Sequence, residues 1–247
     1  MKKLLYVAMT AILTFSYSKV TLADGHVYGP YPITLKGYSG DKTNSVKYTG
    51  QMARHVLHDS LKALVKTGDV SKMMAYYNGE DGLEIVAPKS KDDFAIKQTM
   101  VSEIGSGNLS GKTYKGAIAG WGNLTGPEVL EHMMTKAGEV EGGFDPNTGF
   151  DYTQLISKFA MGAVFYNQAV NNYLGKKMEI GQKPNSKPYK DGAYYTGKEH
   201  SWDEAFGYWG SAAHALTLSA EQNYNVAKKK DMASADYNGD GVVDLYS

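Results

Sequence analysis

The spacing of apolar residues places the tightest constraint on the fold of this chain. Apolar side chains recur at three- and four-residue steps from Thr49 to Gly68 and again from Asp151 to Gly175. In the first segment they are Met52, Val56, Leu57, Leu61, Leu64 and Val65, and in the second Leu155, Phe159, Ala163, Val164, Ala169 and Tyr173. Side chains at these steps share one face of an α-helix, which turns once in about 3.6 residues. The sequence therefore predicts two amphipathic helices.

Further helices are predicted in the rest of the chain, where strand patterns are nearly absent. The expected helical segments are residues 70–77, 92–104, a helix that begins at Pro127, and a last helix over 199–228. Glycine-rich and proline-bearing stretches at residues 105–126 and 175–198 predict two long loops. Five or six amphipathic helices indicate an all-α, mostly antiparallel helical bundle.

The first residues have the pattern of a secretory signal peptide. Lys2 and Lys3 precede an apolar run from Leu4 to Phe15, and Thr21-Leu-Ala23 offers a small-residue cleavage site. The apolar run is shorter than the roughly 20 residues that a membrane helix needs. We therefore expect cleavage after residue 23, no membrane span, and a periplasmic or secreted protein.

Residues 24–48 lack a helical period and carry Gly29-Pro30-Tyr-Pro32. The composition predicts an extended N-terminal arm with one short strand at Ile33-Thr-Leu35. A helical bundle domain over residues 49–247 is expected to follow. The chain has no cysteine, so its stability must come from a packed core rather than from disulfides.

The charge of the mature chain argues against nucleic acid as a partner. Lys2, Lys3 and Lys19 lie in the signal region, which leaves 23 basic against 26 acidic residues, a net charge of −3. Nucleic-acid-binding domains instead carry a basic excess that neutralises phosphates. Arg54 is the only arginine, so bidentate clamps on anions are scarce.

The segment from His200 to Gly210 combines a histidine, two carboxylates, four large aromatic side chains and three glycine or alanine positions. At about 100° per residue, one helix face carries Trp202, Ala205, Phe206, Trp209, Ala213 and Leu216. The opposite face carries His200, Glu204, Gly207, Ser211 and His214. We expect the aromatic face, with both tryptophans, to pack in the core. Two helical glycines cost roughly 1 kcal/mol each against alanine, which predicts a close approach by another backbone or ring.

The polar face is a candidate transition-metal site. His200 lies three residues before Asp203 and four before Glu204, so either carboxylate could join the imidazole on a metal ion. Zinc or iron would need more ligands, for which His55 and His58 are candidates. The alternative is that His200 satisfies the start of the helix, the carboxylates favour its positive end, and nothing binds.

Residues 236–247 fit the twelve-residue calcium loop of an EF-hand. Gly241 stands where the loop turns sharply, and Ser247 stands where a bidentate glutamate is expected. The expected calcium ligands are the side chains of Asp236, Asn238, Asp240 and Asp244 and the backbone carbonyl of Val242. The alternative is an acidic, solvated turn. The missing exit helix also raises the alternative that the protein continues beyond Ser247.

No complete catalytic set is visible in the sequence. It has no Gly-x-Ser-x-Gly elbow, no cysteine, no His-Glu-x-x-His motif, no Walker phosphate loop and no serine placed for a histidine. We therefore expect a protein that is not an enzyme, and peptidase activity lacks the residues it needs.

Three stretches carry a family resemblance: Tyr48-Thr-Gly-Gln-Met-Ala-Arg54, Glu199-His-Ser-Trp-Asp-Glu-Ala-Phe-Gly-Tyr208, and Asp236 to Asp244. Together they resemble the bacterial envelope proteins catalogued as domain of unknown function 4856, from about Ile33 to the end of the chain. That family is similar to the imelysin-like group, whose members are helical bundles linked to iron uptake or, in some cases, polysaccharide binding. The resemblance implies an imelysin-like bundle.

Imelysin-like proteins carry a Gly-x-His-x-x-Glu motif as a proposed metal site. The matching residues are Lys198, His200 and Asp203, so the glycine is lost and the glutamate is shortened unless Glu204 takes its part. The first expected function is a non-enzymatic periplasmic protein of metal uptake or handling, with iron or another transition metal as the cofactor. The alternative is a calcium-stabilised module that binds an anionic polysaccharide or another surface partner.

Overall fold

The structure is a computed structural model that describes residues 20–21, 27–28, 33–42, 45–210 and 214–245. The signal peptide predicted for residues 1–23 lies outside the described residues, apart from Val20–Thr21. The same holds for Ser247, the last position of the predicted calcium loop.

The described residues contain six α-helices, which confirms the mostly helical fold. They are α1 (Thr49–Leu64), α2 (Val70–Asn78), α3 (Gly126–Gly138), α4 (Tyr152–Ala160), α5 (Gly197–Trp209) and α6 (Ala220–Ala227). A π-helical segment, Met161–Gly175, continues α4 without a break, so the predicted long helix is present. None of the helices in these ranges combines the length and the apolar character that crossing a bilayer requires.

Six two-residue strands form three small sheets within the described residues. They are β1 (Val20–Thr21), β2 (Val27–Tyr28), β3 (Ala95–Ile96), β4 (Phe144–Asp145), β5 (Phe150–Asp151) and β6 (Val242–Val243). The β1–β2 and β4–β5 pairs are antiparallel, and the β3–β6 pair is parallel. The β3–β6 pair joins the C-terminal loop to the middle of the chain.

The core lies where α1 to α4 pack together. Leu57, Leu61, Leu130 and Ile156 are fully buried there, together with Tyr76. Burying one such aliphatic side chain stabilises the fold by roughly 1.5–3 kcal/mol. α5 packs along the π-helical segment and against α1. This arrangement places one face of α5 inside the bundle.

The sequence predicts the ends of the first two helices well. Gly68 and Gly79 adopt left-handed conformations that close the α1 region and α2. Asp69 caps α2, because its Oδ1 accepts a hydrogen bond from the amide of Lys72 at 2.9 Å. At the start of α3, Glu128 accepts hydrogen bonds from both the amide and the hydroxyl of Thr125.

The prediction of a third helix over residues 92–104 is wrong. Asp93 has a φ of 57°, which a right-handed helix excludes. Ala95–Ile96 pairs instead with Val242–Val243, and the Asp92 carboxylate accepts the amide proton of Met232 at 2.9 Å. Partners from the distant C-terminal region therefore replace the local hydrogen bonds of a helix.

The prediction of one last helix over residues 199–228 is also wrong. Its first part ends at Trp209, because Gly210 adopts a left-handed conformation with a φ of 77°. There the chain passes His55, whose Cε1 would lie 2.5 Å from a Cβ on Gly210. A new helix, α6, begins after Ser219, whose hydroxyl accepts the amide proton of Gln222.

The predicted orientation of α5 is wrong for both tryptophans. Trp202 and Trp209 face solvent, with exposures of 50% and 75%, although Ala205 of the same predicted face is buried. The side of His200, Glu204 and Gly207 faces α1 and the π-helical segment. Gln51 and Tyr173 donate hydrogen bonds to Glu204 there, which offsets the cost of burying its carboxylate. Ala213 and the Leu216 side chain, also predicted for the aromatic face, are outside the described part of the chain.

Among the described residues of the arm, Ile33-Thr-Leu35 does not form the predicted strand. Thr34 is held by a side chain instead of a neighbouring strand. Its amide and its hydroxyl both donate to Oε1 of Glu199, each at 2.8 Å. The arm therefore meets the bundle at the first turn of α5.

Candidate functional site

A cleft with a volume of about 520 Å³ opens between α1, the π-helical segment and the C-terminal end of α5. We call it the Trp209 cleft and define it by His55, His58, Phe165, Tyr166, Tyr208 and Trp209, which line it. Its size lies within the range of ordinary small-molecule sites. No local pattern links its three walls, because they come from distant parts of the sequence.

Aromatic rings form the floor and the rim of the cleft. The imidazole of His55 stacks on Phe165 with 4.4 Å between ring centroids, and Phe165 meets Tyr208 edge-on at 6.2 Å. At the rim, the side chains of Tyr166 and Trp209 are 60% and 75% exposed. Large exposed rings beside a concave surface are typical of a binding site rather than of a core.

His55 supplies a neutral imidazole to the cleft. Its Nε2 lies 3.0 Å from the backbone carbonyl of Gly207, a contact in which Nε2 must carry the proton. Burial lowers the pKa of His55 from 6.5 to about 4, although the Gly207 contact opposes this shift. Near neutral pH the ring is therefore uncharged, with Nδ1 as its acceptor nitrogen.

His58 links α1 to α4 at the back of the cleft. Its Nε2 lies 3.1 Å from the carbonyl oxygen of Ser157 and 3.3 Å from Oγ of the same residue. Its Nδ1 lies 3.6 Å from Oδ1 of Asp59, which also pairs with Lys229 at 2.8 Å. Burial raises the pKa of Asp59, but hydrogen bonds and charges from His58 and Lys229 outweigh it and lower that pKa strongly.

This serine–histidine–aspartate arrangement has no local sequence signal, because Ser157 is distant from His58 in the sequence. The geometry differs from that of an activated nucleophile. Nε2 of His58 donates to the Ser157 carbonyl, whereas a general base would have to accept the hydroxyl proton at that atom. Ser157 is also only 1% exposed. The arrangement therefore fixes α1 against α4.

His200 packs against two tyrosine rings, which also contact each other. The centroids of Tyr189 and Tyr195 are 4.8 and 4.9 Å from that of the imidazole. Nε2 of His200 lies 3.4 Å from Oε2 of Glu204, and its buried Nδ1 has no partner among the described residues. Burial lowers the pKa of His200, while the Glu204 carboxylate raises it.

Asp203 does not join His200 and Glu204. Its Oδ2 accepts the amide proton of Lys47 at 2.6 Å, and the residue is fully buried. Burial raises the pKa of Asp203 well above its ordinary value. Of the three predicted ligands, the structure therefore brings only His200 and Glu204 together.

His55 and His58, the other candidate ligands, line the Trp209 cleft and have neighbours different from those of His200. In the described parts of the chain, no group of three or more histidine, aspartate or glutamate side chains is arranged to hold a metal ion. The predicted convergence of His55 and His58 on His200 is therefore not observed.

Glu204 forms the centre of a polar network inside the bundle. Its Oε1 accepts hydrogen bonds from Nε2 of Gln51 at 2.9 Å and from the hydroxyl of Tyr173 at 3.2 Å. Burial raises the pKa of Tyr173 strongly, and the neighbouring Glu204 adds to the shift. The hydroxyl therefore stays protonated and continues to donate to the carboxylate.

The predicted calcium loop is closed by its own hydrogen bonds. The two carboxylate oxygens of Asp236 accept the amide protons of Gly239 and Gly241 at 3.0 and 2.9 Å. Asp240 accepts hydrogen bonds from the amide of Val242 and from Nδ2 of Asn238, and these bonds lower its pKa. The side chains of loop positions 1, 3 and 5 are thus engaged in hydrogen bonds within the loop.

Asp244, the ligand predicted for position 9, is engaged elsewhere. Its carboxylate accepts hydrogen bonds from Nε2 of Gln98 at 2.6 Å and from Nζ of Lys97 at 3.0 Å. Val242 belongs to β6 and pairs with Ala95. The donors Asp236, Asn238 and Asp240 suit a hard cation such as calcium. Asp244 would have to leave Gln98 and Lys97 to join them.

Residues 122–240 match the family model described as Domain of unknown function (DUF4856). This match confirms the resemblance over residues 122–240, which include the motif at residues 199–208, whereas the motif at residues 48–54 lies outside it. It includes α3 to α6 and the first five positions of the predicted calcium loop, but not α1 or α2. No curated protein and no solved structure matches the chain.

Proposed function

We propose that this chain, which carries a domain of the DUF4856 family over residues 122–240, is an exported, non-enzymatic binding protein that takes a saccharide into the Trp209 cleft. The exposed ring of Trp209 at the rim of a 520 Å³ cleft is the observation that carries the proposal. Export is inferred from the pattern of residues 1–23.

The chemistry of the cleft suits a sugar better than a purely apolar ligand. One face of a pyranose ring carries C–H groups, which pack against aromatic rings such as those of Tyr166 and Trp209. The hydroxyl groups of a sugar need donors and acceptors, which His55, Asp59 and Lys62 offer within the same cleft. Rings and polar groups together therefore favour the saccharide alternative.

Binding of neutral and acidic trisaccharides, followed by calorimetry and tryptophan fluorescence, tests the proposal. We expect Trp209→Ala to weaken binding at least about tenfold, because it removes the stacking surface. Trp202→Ala is the matched control, since Trp202 is exposed on the same helix but outside the cleft. If no saccharide binds, or if the two variants lose affinity equally, the proposal is wrong.

Calcium is proposed as a stabilising ion at the Asp236 loop. The loop continues directly into β6, whose pairing with β3 ties the C-terminal region to the rest of the fold. An ion bound by Asp236, Asn238 and Asp240 would favour this folded arrangement by mass action. We expect calcium to raise the melting temperature, and Asp240→Asn to reduce that rise. Equal melting temperatures in calcium and in chelator would remove the calcium proposal.

Metal handling at His200 is the second candidate function. It is favoured by the facing pair of His200 and Glu204 and by the unpartnered Nδ1 of the imidazole. A metal ion at His200 and Glu204 would need further ligands, either water molecules or groups of a partner. Asp203 does not supply one, because its carboxylate accepts a hydrogen bond from the backbone amide of Lys47. Titration of chelator-stripped protein with iron, copper and zinc tests this candidate. Equal uptake by the native protein and by His200→Ala excludes His200 as a ligand.

A further inference from the structure

A second cavity, with a volume of about 510 Å³, adjoins the Trp209 cleft. We call it the Lys66 pocket and define it by Asp59, Lys62, Lys66, Asp151, Thr153 and Lys229, which line it. Asp59 and Lys62 also line the Trp209 cleft, so the two cavities meet along one turn of α1. A ligand that fills the cleft and is longer than one sugar unit can therefore reach the Lys66 pocket.

The walls of the Lys66 pocket carry more positive than negative charge. Three lysines, Lys62, Lys66 and Lys229, line it together with the carboxylates of Asp59 and Asp151. Nζ of Lys229 lies 2.8 Å from Oδ2 of Asp59, so these two charges offset each other. The Asp151 carboxylate caps α4 by accepting the amide proton of the third helical residue at 3.2 Å. The ammonium groups of Lys62 and Lys66 make no hydrogen bond or ion pair with a described residue and are available to an anion.

A buried hydroxyl group in the same wall also lacks a partner. Thr153 is only 6% exposed, and its Oγ1 makes no hydrogen bond within the described part of the chain. It is the second residue of α4 and lines the pocket together with Lys62 and Lys66. Buried hydroxyl groups are normally hydrogen-bonded, so an unpartnered one at the wall of a cavity is a mark of a site that a ligand completes.

The fold holds the walls of the pocket in place. Oγ of Ser60, on α1, donates to the carbonyl oxygen of Ala87 at 2.9 Å and accepts the amide proton of the same residue at 3.1 Å. Ala87 lines the pocket and is thereby fixed against α1. The Lys229 segment is fixed as well, because its carbonyl oxygen accepts the amide proton of Lys91 at 2.9 Å. A ligand would meet a preformed pocket and would lose little affinity to the ordering of loops.

We propose that the saccharide in the Trp209 cleft is acidic, and that the Lys66 pocket binds a carboxylate or sulfate group on an adjoining sugar unit. This inference rests on the proposed function, because it concerns the same ligand. Ammonium groups without acidic partners attract such a group, and charge-assisted hydrogen bonds from Lys62, Lys66 and the Thr153 hydroxyl hold it. A neutral saccharide would leave these donors without an anionic partner.

Calorimetric titration of the full chain with matched pairs of trisaccharides tests the inference. One pair is trigalacturonate and its neutral methyl ester, and the other is a sulfated galactose trisaccharide and its unsulfated form. We expect the acidic member of at least one pair to bind about tenfold more tightly than its neutral member, the effect of one charged hydrogen bond. Added salt should reduce this difference, because it screens the lysine charges.

Variants of the pocket separate its contribution from that of the cleft. We expect Lys62→Gln and Lys66→Gln each to weaken binding of the acidic member about three- to tenfold and to change the affinity for the neutral member less than about twofold. Lys72→Gln is the matched control, since it removes the same charge from an exposed position on α2 outside both cavities. Thr153→Val should weaken binding of the acidic member without lowering the melting temperature, because its hydroxyl has no partner in the free protein.

The outcomes distinguish this inference from the proposed function. If the acidic and neutral members of both pairs bind equally, or if Lys72→Gln weakens acidic binding as much as Lys66→Gln does, the inference is wrong although the cleft binds saccharides. If no saccharide binds, the proposed function and the inference both fail. A preference confined to one pair identifies the acidic group as carboxylate or sulfate. Melting curves establish that each variant is folded, and Lys66→Gln, at an exposed position, keeps the test valid if a more buried variant unfolds.

Discussion

A Cβ atom on Gly207 would lie only 2.6 Å from the Cβ of Tyr48, so α1 and α5 approach each other at a distance that only glycine allows there. The same contact lets His55 reach the carbonyl oxygen of Gly207. Gly207 therefore has the structural cause that was predicted for it, namely the close approach of a neighbouring helix and ring, whereas Gly210 ends α5 in a left-handed conformation.

Gly207→Ala is expected to lower the free energy of unfolding by about 1–3 kcal/mol, because overpacking at the α1–α5 contact outweighs the gain in helix propensity. Gly162→Ala is the matched control. Gly162 is also helical, but a Cβ there would meet no atom within 4 Å. We expect that variant to be neutral or slightly more stable. Urea unfolding measures the stability of both variants. Equal stabilities would show that the α1–α5 contact can relax to accommodate the added methyl group.

Acid should destabilise the native protein partly through His55. Its pKa is lowered from 6.5 to about 4 on folding, so its contribution to stability is complete above pH 6.5 and is lost as the pH falls through about 4. That loss amounts to at most about 3 kcal/mol. Glutamine does not titrate, so the free energy of unfolding of His55→Gln, measured with urea, should fall less steeply over this pH range than that of the native protein. If the free energy of unfolding of both proteins falls equally with pH, His55 does not contribute to the pH dependence of stability.

Asp203 should have the opposite pH dependence. Its pKa is raised above the ordinary value of 3.8 on folding, so its contribution to stability is greatest at low pH and is lost as the pH rises through the folded pKa. Asp203→Asn keeps an oxygen for the amide of Lys47 and removes the buried charge. We expect the variant to gain stability relative to the native protein as the pH rises. If the stability difference between Asp203→Asn and the native protein does not change with pH, the pKa of Asp203 is not raised on folding.

The exposure of the tryptophans predicts small effects on stability. Trp202→Ala and Trp209→Ala should each lower the free energy of unfolding by about 1 kcal/mol or less, because both side chains lie mostly outside the core. Ile156→Ala, at a fully buried position, should cost about 2–5 kcal/mol. Guanidinium unfolding compares the three variants. A loss as large for Trp209→Ala as for Ile156→Ala would restore the packing role predicted from the sequence.

The sequence predicted the helices whose signals are local. α1 and α2 follow from apolar spacing and from glycines that end them, and α3 begins at the predicted proline turn. Local signals failed for residues 92–104, where β6 supplies hydrogen bonds from a distant part of the chain. They also failed at Gly210, which ends α5 beside His55.

The candidate sites also include features that the sequence indicates and features that only the tertiary structure creates. The motif around His200 was recognisable, but pattern alone could not decide which face of α5 would be buried. Gln51 and Tyr173 decide it, because they supply the hydrogen bonds that make burial of Glu204 favourable. The Trp209 cleft left no sequence signal, since it combines residues from three separate segments.

The sequence by itself determined that the chain is mostly helical, that residues 122–240 resemble the DUF4856 family, and where its helices α1 to α3 begin. Periodicity and caps act over a few residues, so they can be read without the fold. Only the tertiary structure decided that Trp209 lies at the rim of a cleft and that Glu204 lies inside. The orientation of a helix depends on the surfaces it meets, and for α5 those surfaces come from α1 and the π-helical segment, far away in the sequence.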